Sequence, residues 1–278
     1  MSIKSNLSSL NLPTVAALLL TLTTVPACAQ QDAKKAKPAK KAITAEMVAA
    51  KLKPISINGK QVAALAPLGA PPIPADNPMT YEGIELGHRL FFDKRFSSDN
   101  TLSCASCHHQ TFFFADLPDR KVSTGVNGAQ GKRNAMVIFN LAWQEHFFWD
   151  GRAMSLEEQA LMPIQDPTEL NNTLPVLVAR LEADSLYPSL FKAAFGDESI
   201  TPERIGKAIA QFERTIVSSN SKFDRVERLK IEQYTPEEQL GRDMFFTDFT
   251  PSGIRGGDCF HCHGSVETSY LMGAFGRD

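Results

Sequence analysis

The chain has 278 residues, 43% of them hydrophobic, enough for two modest domains with packed cores, which excludes a disordered chain. Its formal net charge is -2, but six of the 29 Lys and Arg and only one of the 31 acidic residues fall within the first 41 positions, which leaves the body with 23 basic against 30 acidic residues, a charge of -7. That sign argues against nucleic acid as a partner and suits a basic protein partner.

In chain order, Lys4, an apolar run from Val15 to Val25 and then small residues read as a secretory signal over 1–29, too short for a spanning helix. Two processing readings stay open. Ala27-Cys28-Ala29 fits a small-x-small cleavage site, whereas Val25-Pro26-Ala27-Cys28 resembles a lipobox that would tether Cys28 to a membrane. Residues 30–79 read as a flexible Lys/Ala/Pro tether, a short amphipathic helix over Ala42–Leu52 and a Pro-rich connector with an extended Pro71–Pro74 segment. The folded body is expected to begin near Thr80.

From there the pattern is helical. Tyr81–Phe92 puts Leu86, Leu90 and Phe91 on one face, and Ser155 with Glu158 forms a capping box for a helix running to Met162. Thr201-Pro202 opens a helix with the stripe Ile205, Ile209, Phe212 and Ile216. Thr235 and Glu238 form another capping box, with Leu240 and Met244 expected inward. Residues 112–136 lack periodicity and predict a long loop, and no run of alternating strands stands out. The expected fold class is all-α, with two domains and long loops.

Four of the five cysteines lie in Cys104-Ala105-Ser106-Cys107-His108 and Cys259-Phe260-His261-Cys262-His263. Two thiols one turn apart can bond both vinyl groups on one porphyrin edge, and the adjacent imidazole can reach the iron, so each motif predicts covalent haem c. A zinc site would need the two pairs close enough to share one ion, yet each pair carries its own His and its own upstream helix. His88, His109, His146 and His261 read as surface or structural residues. The helices repeat too: Leu86-Gly-His-Arg-Leu-Phe-Phe92 precedes Cys104, and Leu240-Gly-Arg-Asp-Met-Phe-Phe246 precedes Cys259. This duplication gives a first domain over 80–225 and a second over 226–278.

From Tyr81 onward the sequence resembles the bacterial dihaem cytochrome c peroxidase and MauG-like family. The segments LGHRLFFDKRFSSDNTLSCASCH, GKRNAMVIFNLAWQEHFFWDGRAMSLEEQALMPIQDPTELNN and IGKAIAQFERTIVSSNSKFDR carry the likeness. The resemblance implies that His108 is the proximal ligand of the peroxidatic haem and His263 that of the electron-transfer haem. It makes Trp149 the aromatic bridge between the haems, although a plain core tryptophan is the rival reading. Glu169 in DPTELNN matches the family's distal acid, the alternative being a capping or surface glutamate. Asn134 corresponds to an interdomain calcium ligand, and a buried structural amide is the alternative there.

Two departures from the pattern matter. The loop from Leu117 to Ala135 has no histidine, where peroxidases activated by reduction supply a distal one, so the haem at His108 is expected to be open to peroxide from the start, as in MauG-like members. Only fifteen residues follow His263, whereas the family continues further, so the second domain is expected to be truncated. Met272, nine residues beyond His263, has little length to reach the opposite haem face. The resemblance implies a periplasmic peroxidase that reduces hydrogen peroxide with electrons from a small cytochrome c or cupredoxin, and a homodimer is compatible with it. The alternatives are a MauG-like oxidase that modifies a protein, and a non-catalytic dihaem electron carrier or truncated remnant.

Overall fold

The computed structural model describes residues 54–57, 60–64, 71–248 and 256–263. The signal, Cys28, the Ala42–Leu52 helix and Met272 lie outside the described residues. The all-α expectation holds for the body. One correction concerns a small antiparallel hairpin of β1 (Pro54–Ile57) and β2 (Lys60–Ala64), with Ile55 opposite Ala63 and Ile57 opposite Lys60. Its signal is Asn58-Gly59, a pair that favours two-residue hairpins, set between strands too short to show clear alternation.

Helix α1 (Tyr81–Phe92) begins where Thr80 Oγ1 accepts from Gly83 N at 3.0 Å. It ends at Asp93, whose carboxylate takes up Arg95 N in the next turn. Asn77, inside the predicted connector, is already fastened to the body: it is buried, donates to Glu157 Oε1 at 2.6 Å and accepts from Gln211 at 2.9 Å. The short helices α2 (Leu156–Gln159) and α3 (Met162–Gln165) replace the single helix predicted after Ser155. Ser155 caps Glu158 N as expected, but the Glu158 carboxylate reaches Met154 N rather than its own cap residue, so the box is half made.

Next come α4 (Leu174–Glu182), α5 (Tyr187–Phe195) and α6 (Pro202–Glu213). Helix α6 buries Ile205, Ile209 and Phe212 of the predicted stripe, while Ile216 lies past its end and packs half-buried on the core. The α1 and α6 backbones nearly touch, because a Cβ on Gly87 would lie 1.9 Å from the Ala208 carbonyl oxygen. Arg180 of α4 donates to the carbonyls of Arg95, Ser97 and Ser98 at 2.7–2.9 Å and so clamps the segment leading to Cys104.

Helix α7 (Pro236–Phe246) carries the full capping box of Thr235 and Glu238. Its predicted inward residues are a further correction: Leu240 is 62% and Met244 48% exposed. Their counterparts Leu86 and Leu90 are buried in the core that α6 joins, whereas α7 meets the turn over 222–228 through Phe223 on Phe246 and Glu227 on Arg242. The last described helix is α8 (Phe260–His263).

Candidate haem centres and active site

Ser103 starts the first motif by closing a single 3-10 turn over Cys104–Ser106: Ser106 N donates to Ser103 O at 3.0 Å, and Ser103 N donates to Ser106 Oγ at 3.0 Å. The turn continues with His108 N on Cys104 O at 3.0 Å, which holds both thiols and the imidazole on one short stretch. Cys104 and Cys107 are free thiols. Burial is the main cause that pushes both thiols up, Cys107 to about 11, and Glu169 adds a like-charge contribution to each. Neither thiol is poised as a thiolate nucleophile or zinc ligand.

His108 Nδ1 lies 2.9 Å from Phe114 O, an arrangement that makes Nδ1 a protonated nitrogen, and the Met136 backbone also acts on the ring. Burial holds this imidazole below its ordinary pKa, so it stays neutral, as an iron ligand must. The carbonyl reaches His108 because Phe113 and Phe114 both adopt left-handed backbone, φ 56° and 59°. Phe113 is 75% exposed, so its conformation serves the loop rather than the core. Phe91 of α1 backs the ring, with centroids 6.4 Å apart, and Phe212 of α6 backs Phe91 at 5.3 Å.

The residues present fit a haem. Besides the thiols and the His108 imidazole, two buried polar atoms with no hydrogen-bond partner among the described residues lie beside the motif, His109 Nε2 and Asp116 Oδ2, and Asp116 acts electrostatically on Cys107. A packed protein core does not leave such groups together without a polar counterpart.

Glu169 stands on the loop between α3 and α4. Asp166 fixes this loop by accepting from Thr168 N and Oγ1 at 2.7 Å, and Glu169 N donates to Asp166 O. The histidine-free loop is pinned beside it: Val126 N donates to Glu169 O at 2.9 Å, and a Cβ on Gly125 would lie 2.2 Å from Thr168 O. Burial first, then Asp166, raise the Glu169 pKa, while Arg152 opposes them. The carboxyl is therefore half-buried, near both thiols, and not a solvated surface acid.

Trp149 is not a core residue. It is 42% exposed at the tip of a turn and donates Nε1–H to Asn134 O at 2.8 Å. Asn134 in turn donates from its amide to Arg120 O at 3.1 Å. Among the described residues no group of three or more His, Cys, Asp and Glu is placed to hold a metal ion.

The second motif repeats several contacts of the first. His263 N donates to Cys259 O at 2.8 Å, and Phe245 lies 6.3 Å from His263 at 46°, against 6.4 Å and 48° for Phe91 and His108. The neighbouring pairs also agree, Phe245–Phe246 at 4.9 Å and 66° with Phe91–Phe92 at 5.4 Å and 64°. Sequence reading missed Phe91, Phe114 and Asp116 as parts of the centre, although the repeated Phe-Phe was a signal for the first.

The family described as di-haem cytochrome c peroxidase matches residues 81–232, the stretch that holds the first motif, Trp149 and Glu169. The chain belongs to this family. It is 42% identical over 154 residues to the methylamine utilization protein MauG of Methylophilus methylotrophus, covering 55% of this chain and 45% of that one. It is 34% identical over 196 residues to the cytochrome c peroxidase Ccp of Escherichia coli K12, covering 70% and 40%. The chain thus spans about half the length of the curated relatives it matches. Among solved structures, a MauG-like protein associated with microbial copper homeostasis superposes with a TM-score of 0.65 at 38% identity, over 76% of this chain and 60% of that one. The dihaem peroxidase BthA of Burkholderia thailandensis, at 24% identity and a TM-score of 0.59 over 78% and 57%, shares the fold. The family implies haem cofactors and peroxidase-like oxidoreductase chemistry.

Proposed function

We propose that this chain is a dihaem c-type peroxidase that reduces hydrogen peroxide to water with electrons from a small periplasmic redox protein, a small cytochrome c or a cupredoxin. The observation that carries the reading is the pairing of a neutral, oriented His108 with the half-buried Glu169 around one pair of free thiols. Cys104 and Cys107 would hold the first haem by thioether bonds with His108 Nε2 as ligand, and Cys259, Cys262 and His263 the second. When bound, the haems supply the redox chemistry.

Glu169 does the proton work: its carboxylate accepts a proton from one peroxide oxygen and returns it to the departing oxygen. Its raised pKa narrows the gap to its partners, and the loop through Gly125 and Val126 keeps it from swinging away. Trp149 is the aromatic bridge through which electrons or holes pass between the centres. A periplasmic setting follows from the signal-like leader, with Cys28 as an anchor if it is lipidated, and a homodimer is compatible with it. A calcium ion at Asn134 rests on the family resemblance alone.

Rapid mixing of peroxide with the matured protein tests the assignment. Glu169→Gln is expected to slow the reaction about 10²–10⁴-fold, and equal rates in the two proteins remove Glu169 from the mechanism. A second reading, oxidative modification of a residue on another protein, is favoured by the absence of histidine between Leu117 and Ala135 and by the likeness to MauG. It predicts a persistent high-valent signal with peroxide and poor turnover with small cytochromes.

A further inference from the structure

Glu213, the last residue of α6, has no part in the chemistry above and is nonetheless 4% exposed, with an Oε2 that has no hydrogen-bond partner among the described residues. An orphaned buried carboxyl oxygen is costly to keep. The adjacent cation does not neutralise it. Arg214 makes two hydrogen bonds to Glu157, at 2.8 and 3.1 Å, and offsets the burial of Glu213 only in part.

The charged and titratable groups facing Glu213 come from three elements. Arg214 follows it in the chain, Glu157 of α2 adds a like charge, and Cys104 lies within its electrostatic reach on the haem-attachment turn. From α1, packed against α6, the exposed His88 meets Phe212 edge-on at 5.1 Å. Phe212 itself meets Phe91 at a tilt of 57°, behind His108. Glu213, next to Phe212 and buried, therefore sits within electrostatic reach of the first thioether position.

We propose that Glu213 is a redox-linked proton site, taking up one proton from water when the iron held at His108 accepts one electron and releasing it when that iron is oxidised. The step balances: ferric iron and carboxylate plus one electron and one proton give ferrous iron and carboxylic acid, with the electron coming from the donor protein or an electrode. The reason is electrostatic. In a buried pocket an ionised carboxylate is stabilised by the positive charge of ferric iron, and reduction removes that charge. Burial pushes Glu213 up to about 8, which brings its titration into the physiological range. The consequence is that donor electrons enter this centre together with a proton of the kind peroxide reduction consumes.

The inference rests on haem attachment at Cys104 and Cys107. Spectroelectrochemistry of the matured dihaem protein, on both sides of the pH at which Glu213 titrates, tests it. In the wild type one midpoint potential is expected to fall as pH rises, approaching one proton per electron at its steepest. In Glu213→Gln the same potential is expected to be flat across that window, with haem count and Soret band unchanged. A flat wild type, or a variant that keeps the wild-type slope, overturns the proposal. If Glu213→Gln does not mature, redox-difference infrared spectra of the wild type decide: a neutral carboxylic carbonyl band that grows on reduction is expected, and its absence overturns the assignment. A protein without covalent haem fails by the Soret band and mass, which separates failure of the haem reading from failure of Glu213.

Discussion

Glu169 and Glu213 are both carboxyls raised by burial, but they differ in their surroundings. Glu169 is half-buried on a loop tied down by Asp166 and Val126. Because it must be ionised to accept the proton, and its pKa is raised, the acid limb of the peroxide rate is expected above the ordinary carboxylate range and absent in Glu169→Gln; a rate–pH profile of both proteins checks this. Glu213 predicts an effect on stability. Its folded pKa, about 8, exceeds the unfolded value of 4.5, so its contribution is fully present below the unfolded value and is lost as pH rises through the folded one. Glu213→Gln is therefore expected to melt close to the wild type in acid and above it in base, by about 2–4 °C for each kcal/mol relieved. Melting curves at both ends of the range decide, and a constant difference would mean that Glu213 titrates normally.

The crossing of α1 and α6 places the Phe91 and Phe212 rings behind His108. Gly87 permits that approach, since any Cβ there meets the Ala208 carbonyl backbone and not a flexible side chain. Gly87→Ala is expected to destabilise by about 1–3 kcal/mol, read as a lower melting temperature. Gly241 holds the same place in α7, but nothing described lies within 4 Å of a Cβ there, so Gly241→Ala is expected to be neutral or stabilising in the same melt. Four helix starts were legible because capping is local, Thr80, Ser155, Thr201 and Thr235 each capping the helix that the sequence placed after them, whereas α4, capped by Thr173, and α5 were missed. The break at Ala160–Leu161 was not legible, because Ser155 and Glu158 act only on the first turn of the helix they open.

For the whole molecule, the two motifs predict two covalent haems. Intact mass of the matured protein is expected to show both, and Cys259→Ser with Cys262→Ser to show one while the peroxide reaction site at His108 stays spectroscopically intact. One haem in the wild type would limit the chain to its first centre. The near-identical placement of Phe91 on His108 and of Phe245 on His263 is the structural counterpart of the sequence repeat, 154 positions apart at the phenylalanines and 155 at the histidines.

What the sequence by itself determined is what depends on covalent spacing and local hydrogen bonding: the two Cys-x-x-Cys-His motifs, the helix caps, the duplication and the family likeness. Tertiary structure decided what depends on groups distant in the chain. It placed Glu169 against a loop some forty residues earlier, about the span from Val126 to Glu169, exposed Trp149, left Leu240 and Met244 uncovered, and buried Glu213 without a partner. Periodicity marks an apolar or charged position, but only the element packed across from it settles whether that position is covered, paired or left to do chemistry.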